Sequence, residues 1–192
     1  MILSDKDIKK YIKEGKIKIK PMPNFEEQLG PCSLDLHLGK IFKIFKPTQY
    51  PYLDLKRKID FEEFMEEIKI GDGDPFILQP HAFILATTEE EFSLPDNIMG
   101  RLGGRSSLGR LGVIIHTTAA RFDPGWQGKA VMELGNLGIF PVVLYSGMRI
   151  CALTFETLSS PCETPYYRKK GQKYAKQKKP QASKINLEFK KK

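Results

Sequence analysis

The chain has 192 residues, of which 41% are apolar and 28% charged, and its formal net charge is +8. This length suits one domain with a core that needs no disulfides, and the composition is that of a soluble globular protein. No run of about 18 apolar residues occurs, so a membrane span is not expected, and the opening Met1–Asp7 lacks the apolar centre of a signal peptide.

In chain order, Ser4 is a good N-cap, with Asp7 at N3 and Leu3 set to staple Ile8, so a first helix is expected here. Ile8, Tyr11 and Ile12 form its apolar stripe and Gly15 can close it. A second short helix is expected from Phe61 to Ile68, capped by Asp60. The remainder reads as strands: Phe76–Leu78, Phe83–Thr88, Val113–Thr117, Lys129–Leu134, Val142–Tyr145 and Ile150–Phe155 are β-branched or aromatic runs. Turn signals such as Asp72-Gly73-Asp74-Pro75, Pro95-Asp96-Asn97, Asp123-Pro124-Gly125 and Ser146-Gly147 separate them. Strands and helices do not alternate, so a doubly wound parallel sheet is not expected. The expectation is a mainly β fold, a barrel or sandwich with small peripheral helices, formed as a single domain over residues 1–192.

Charge and thiols give further bounds. From Arg168 onward eleven Lys and Arg residues face Glu188 alone, leaving 20 basic and 22 acidic residues in the rest of the chain. Such a tail can bind nucleic acid with release of counterions, fold over a small polyanion, or be a solvated end, and composition leaves all three open. Cys32, Cys151 and Cys162 are an odd set without close pairing, which fits reduced thiols in a cytoplasm.

The densest chemistry lies in Gly104-Arg105-Ser106-Ser107-Leu108-Gly109-Arg110. Two guanidiniums and two hydroxyls on flexible backbone can give charge-assisted, partly bidentate contacts to phosphate oxygens; the alternative is a glycine-rich turn with surface arginines. A P-loop is excluded because Arg110-Leu111 stands where Lys-Ser/Thr is required. Ser106 is not in a Gly-x-Ser-x-Gly elbow. The zinc-deaminase pattern is missing, since Pro31-Cys32 and Pro161-Cys162 each lack a second cysteine and no Glu follows a histidine by two residues.

Further along, Asp123-Pro124-Gly125-Trp126 offers a carboxylate and a flat aromatic surface suited to a sugar and a base, although Asp123 can equally serve its own turn. In the Lys129–Leu134 strand, alternation puts Glu133 on the face of Val131, opposite Met132 and Leu134. It is either a solvated glutamate or, in a dry pocket, a proton-transfer group with a raised pKa. His116 lies in an apolar strand and is assigned no chemical step.

Taken in order, Arg-Ser-Ser-Leu-Gly-Arg-Leu-Gly, His116-Thr117-Thr118-Ala119, Asp-Pro-Gly-Trp and Val131-Met132-Glu133 resemble dCTP deaminase of the dUTPase-like superfamily. Ile2-Leu3-Ser4-Asp5, Gly30-Pro31-Cys32-Ser33-Leu34-Asp35, Leu38-Gly39 and the ending Pro165-Tyr166 … Lys173-Tyr174 … Gln177 … Ala182-Ser183 extend the resemblance over most of the chain. Lys40–Gly73 is the least similar stretch.

The resemblance implies a distorted β-barrel or jelly-roll, a homotrimer with active sites between subunits, and zinc-free deamination of dCTP to dUTP and ammonia. It makes Glu133 the proton donor and acceptor. Ser106 and the carbonyl of Ala119 position the water, and Arg110 sets the local electrostatics. Arg105 and Ser107, with Leu108 and Gly109 in the same motif, match phosphate-binding positions. Asp123 takes the 3′-hydroxyl, Trp126 packs near the sugar, and the backbone of Val131 and Met132 follows the base edge. Tyr166, Lys173 and Gln177 belong to a basic lid, residues 166–192, that closes over the triphosphate. Magnesium is carried by the phosphates and not by a protein carboxylate cage; dTTP is a common inhibitor of such enzymes, and nucleic acid is not an expected partner.

Some relatives also hydrolyse dUTP to dUMP and pyrophosphate. They carry Ala-Gly-aromatic-Ile-Asp and end the motif in Gly-Phe, whereas deaminase-only relatives carry Ala-His-Arg-Ile-Asp-Pro-Gly-Trp. Arg121 and Trp126 favour dUTP as the product here, with the dUMP-forming enzyme as the alternative; Ala120 matches neither pattern.

Overall fold

The computed structural model describes residues 1–57 and 59–189; the last three residues of the expected lid, 190–192, lie outside them. The first helix, α1 (Asp5–Lys13), starts where the sequence places it. Ser4 Oγ accepts the N–H of Asp7 and donates to its carboxylate at 3.1 Å, while Leu3, Ile8 and Ile12 are buried. Gly15 closes the turn at φ +69°. After β1 (Lys18–Lys20), a short α2 (Phe25–Gln28) capped by Asn24 leads into β2 (Ser33–Phe45).

The helix expected over Phe61–Ile68 does not form. Asp60 caps as anticipated, but the turn is a single 3-10 turn, Phe61–Phe64, followed by β3 (Met65–Lys69). Two interactions override the helical pattern. Phe61 and Phe64 bury three residues apart, and Met65–Lys69 pairs antiparallel with Ile41–Phe45, leaving Glu66 and Glu67 in solvent.

Next come β4 (Pro75–Leu78), β5 (Phe83–Ser93), β6 (Ile98–Gly104), α3 (Ser106–Gly109), β7 (Val113–Ile114), β8 (Arg121–Phe122), β9 (Gln127–Asn136), β10 (Val142–Tyr145) and β11 (Arg149–Thr157). The predicted strands are therefore present, most of them longer than expected; Val113–Thr117 is shorter, and its second half leaves the sheet. The main sheet runs β7-β9-β5-β2-β11-β6-β8, with β1 joined to β5 and β3 to β2. Every pairing among these strands is antiparallel. This is the expected mainly β architecture, curled into a half-barrel.

The curl originates in β2. Its first half pairs with β11 and its second half with β3 and β5, and the register slips between Leu38 and Phe42. At Gly39 a side chain would start 2.9 Å from the Thr87 carbonyl oxygen, so only glycine lets the strands cross this closely. Leu34, Leu36, Leu38 and Phe42 from β2, with Met132, Leu134, Leu153 and Phe155, fill the concave side. Phe42 stacks on Phe76 of the separate β4–β10 pair at 4.2 Å.

Candidate functional site

Alternation along β9 buries Ala130, Met132 and Leu134 completely and leaves Val131 and Glu133 half-buried on the opposite face. That face lines a hollow of about 370 Å³. The hollow gathers Ala119, Arg121, Asp123, Trp126, Val131, Glu133, Tyr166 and Gln177, which the sequence singles out. Met132 is at the same strand but points into the core, so only its backbone can face a ligand.

Glu133 is gripped by the loop that follows β7. Its N–H donates to Ile115 O at 3.0 Å, which draws residues 115–118 alongside β9. Glu133 Oε2 then accepts the N–H of Thr117 at 2.9 Å, the Thr117 hydroxyl and the N–H of Thr118 at 3.4 Å. Burial pushes the carboxyl's pKa up, but these donors and nearby His116 outweigh it, and the net displacement is below the ordinary 4.5. The raised value expected for a dry pocket is thus corrected: partial burial is real, but the donors dominate.

The Asp-Pro-Gly-Trp turn has a structural role as well. Trp126 N–H closes it on Asp123 O at 3.0 Å, and Gly125 has φ +79°. A side chain at Gly125 would sit 2.7 Å from Pro165 Cβ, because the C-terminal segment docks directly on this turn. Trp126 lies between Phe122 and Tyr166, with ring centroids 5.0 and 5.1 Å away. It is buried, and its indole N–H has no partner among the described residues. Asp123 is held by the Arg121 guanidinium at 3.0 Å.

The C-terminal segment forms the remaining wall. Tyr166 N–H donates to Pro124 O, and Lys176 and Lys129 exchange backbone bonds with Gln127 and Gln177 at 2.9 Å each. Glu62 accepts the N–H of Ala182 at 2.8 Å and pairs with buried Lys43. Gln177 is buried in the wall, whereas Lys173 lies outside the hollow, paired with Glu188.

Sequence reasoning missed the apolar wall of Phe45, Met65, Phe83 and Leu85 and the polar Gln181, and it named Tyr174 and Ser183 only within the tail motif, without a place in the site. Nothing local marks the first four, which come from three separate strands. Arg105, Ser106, Ser107, Leu108, Gly109 and Arg110 do not line this hollow. They follow β6 as α3 and its two cap residues, Arg105 and Arg110; Leu108 is buried, and Ser106, Ser107 and Arg110 are exposed. A larger hollow of about 540 Å³ lies between residues 59–64 and 182–187, but Asp60, Glu62 and Glu63 line it, which disfavours a polyanion. Among the described residues no three His, Cys, Asp or Glu side chains gather to hold a metal ion, and no helix is long and apolar enough to cross a membrane.

A family model described as dCTP deaminase-like matches residues 2–158. The chain belongs to that family. A dCTP deaminase of Thermomicrobium roseum is 52% identical over 189 residues, covering 98% of this chain and 96% of the relative. Proteins named dCTP deaminase, dUMP-forming, from Dictyoglomus thermophilum and Methanobrevibacter smithii are 51% and 47% identical over 100% and 98% of this chain, and over 98% and 97% of their own. Among solved structures, 2′-deoxycytidine 5′-triphosphate deaminase from Agrobacterium tumefaciens matches with a TM-score of 0.63 and 21% identity over 81% of this chain. The match spans 47% of that longer chain, and at this identity the likeness concerns the fold.

Proposed function

We propose that this chain removes the C4 amino group of dCTP and carries the product on to dUMP and pyrophosphate. The observation that carries the deamination is Glu133, half-buried in a hollow, with three donors converging on one carboxylate oxygen. Its lowered pKa starts it as a base. It takes a proton from the water that adds to C4, then gives it to the amino nitrogen as ammonia leaves; the carbonyl of Ala119 holds that water, with the Ser106 hydroxyl supplied by a neighbouring copy of the chain. Asp123 receives the 3′-hydroxyl, Trp126 packs by the sugar, and the backbone of Val131 and Met132 follows the base.

The position of Arg105–Arg110 outside the hollow supports a site shared between copies of the chain in a homotrimer, with Arg105, Ser107 and Arg110 reaching the triphosphate of a neighbour. The apolar Leu137, Ile139 and Phe140, strongly exposed on the turn that packs on Leu111-Gly112, supply surface for such a contact. Guanidiniums and hydroxyls suit phosphate oxygens and not a cation, so magnesium would ride on the phosphates, neutralising their charge. Residues 166–189 act as the lid. Their docking against β9 and the pairing of Lys179 with Glu67 at 2.9 Å favour this over a nucleic-acid arm. The free thiols of Cys32, Cys151 and Cys162 suit a cytoplasm.

For the second step, the dUMP-forming relatives at 51% and 47% identity support the bifunctional reading over dUTP as final product. The two residues that favoured dUTP are occupied otherwise: Arg121 is the partner of Asp123, and Trp126 is a packing residue. The Thermomicrobium roseum relative at 52%, named dCTP deaminase alone, keeps dUTP as the second reading. Incubation with dCTP and Mg²⁺, resolved by anion exchange, separates them. Equimolar dUMP and pyrophosphate support the proposal, accumulating dUTP overturns the second step, and unchanged dCTP overturns both.

A further inference from the structure

Three neighbouring strands of the sheet, β2, β11 and β6, bring a carboxylate and two guanidiniums together beside the Arg105–Arg110 motif. Asp35 on β2 lies 3.3 Å from Arg105 Nε and 3.5 Å from Arg149 Nη1, both measured to the same oxygen, Oδ2. Arg105 Nη1 also donates to the main-chain carbonyl of Arg149 at 3.1 Å, and Arg149 Nη1 donates to Glu27 O at 2.5 Å. The register explains the meeting: Gly104 pairs with Cys151, so Arg105 and Arg149 fall at the same end of adjacent strands. Asp35 is itself anchored, since its carbonyl accepts the side-chain amide of buried Gln28 at 2.9 Å.

One carboxylate oxygen between two guanidiniums leaves a net positive charge, fixed in position and about two-fifths exposed at Arg149. An isolated surface ion pair contributes little and would need only one cation. Two guanidiniums held side by side are instead a cradle for a second anion, because each can present parallel N–H groups to phosphate oxygens. We propose that Arg149 is a further triphosphate-binding residue, sharing the polyphosphate with Arg105, and that Asp35 is the positioning residue for both. The inference rests on the reading of Arg105 as a phosphate contact and extends it to a residue on a different strand, which no motif in the sequence marks.

The test is calorimetric titration of inorganic tripolyphosphate into the purified full-length protein, beside dCTP steady-state kinetics. Arg149→Gln is expected to weaken tripolyphosphate about tenfold and to raise KM for dCTP by a similar factor, with kcat changing far less. Arg149→Lys should recover part of that loss, and Asp35→Asn should weaken tripolyphosphate while leaving both cations present. Lys13→Gln, on the exposed end of α1, controls for loss of one charge. Unchanged tripolyphosphate binding in Arg149→Gln overturns the inference, as does an equal loss in Lys13→Gln. A parallel loss of melting temperature with no recovery in Arg149→Lys overturns it in favour of a structural ion pair. Wild-type protein that binds tripolyphosphate but leaves dCTP unchanged overturns the deaminase reading alone; failure to bind tripolyphosphate at all overturns the inference.

Discussion

Thr117 donates both its backbone N–H and its hydroxyl to a single oxygen of Glu133, Oε2. A loop residue sixteen positions upstream thereby sets the ionisation of a strand residue. Burial alone would raise the Glu133 pKa, yet the donors take it below 4.5. Thr117→Val removes the hydroxyl while keeping the N–H. The acid limb of kcat/KM is therefore expected below pH 4.5 in the wild type and shifted upward in the variant. A pH–rate profile that does not move would separate this carboxyl from the base.

Glu133→Gln keeps the shape of the group and the donor contacts in part, but cannot carry a proton. Deamination is expected to fall by at least about a hundredfold, while dCTP affinity by calorimetry changes little. More than a few per cent residual activity would remove Glu133 from the proton-transfer role.

Gly128 has φ +140°, and a side chain there would start 2.9 Å from Gln177 O and 3.0 Å from Gln177 N. Gly128→Ala must therefore push the C-terminal segment off the edge of β9, at a cost of about 1–3 kcal/mol. Faster proteolytic cleavage within residues 170–189 and weaker dCTP binding are expected together. Cleavage at the wild-type rate would mean that docking of the C-terminal segment does not depend on this edge.

Glu62 ties β2 to the C-terminal segment through Lys43 and the N–H of Ala182. Burial raises its pKa, but the Lys43 ammonium and the Ala182 N–H lower it further, to a net value under 4.5. A carboxyl depressed on folding stabilises the folded form above its unfolded pKa and loses that contribution as pH falls through the folded value. Protection of the C-terminal segment against proteolysis is expected to drop on acidification below about pH 4.5 in the wild type, and Glu62→Gln should be less protected at neutral pH with a flatter acid dependence. An acid transition of undiminished size in the variant would assign it to another carboxyl.

Local pattern was enough for several features. The Ser4–Asp7 cap and the Ile8/Ile12 stripe place α1, because both depend on contacts three or four residues apart. Alternation sorts β9 correctly, sending Met132 and Leu134 inward and Glu133 to the other face, since strand geometry is periodic whatever the strand pairs with. The chemistry-bearing motifs are also local, so Arg105–Arg110 and Asp123–Trp126 stand out by composition. Three outcomes belonged to tertiary structure alone. Met65–Lys69 became a strand because the edge of β2 offered it hydrogen bonds that a short amphipathic helix could not match. Glu133 became a low-pKa carboxylate because Ile115–Thr118 left the sheet and turned its donors inward. Phe45, Phe83, Tyr174 and Arg149 reached their sites through pairings over tens of residues. Nothing within a few positions of any of them specifies that neighbour, because side chains far apart in sequence meet only once the sheet has curled.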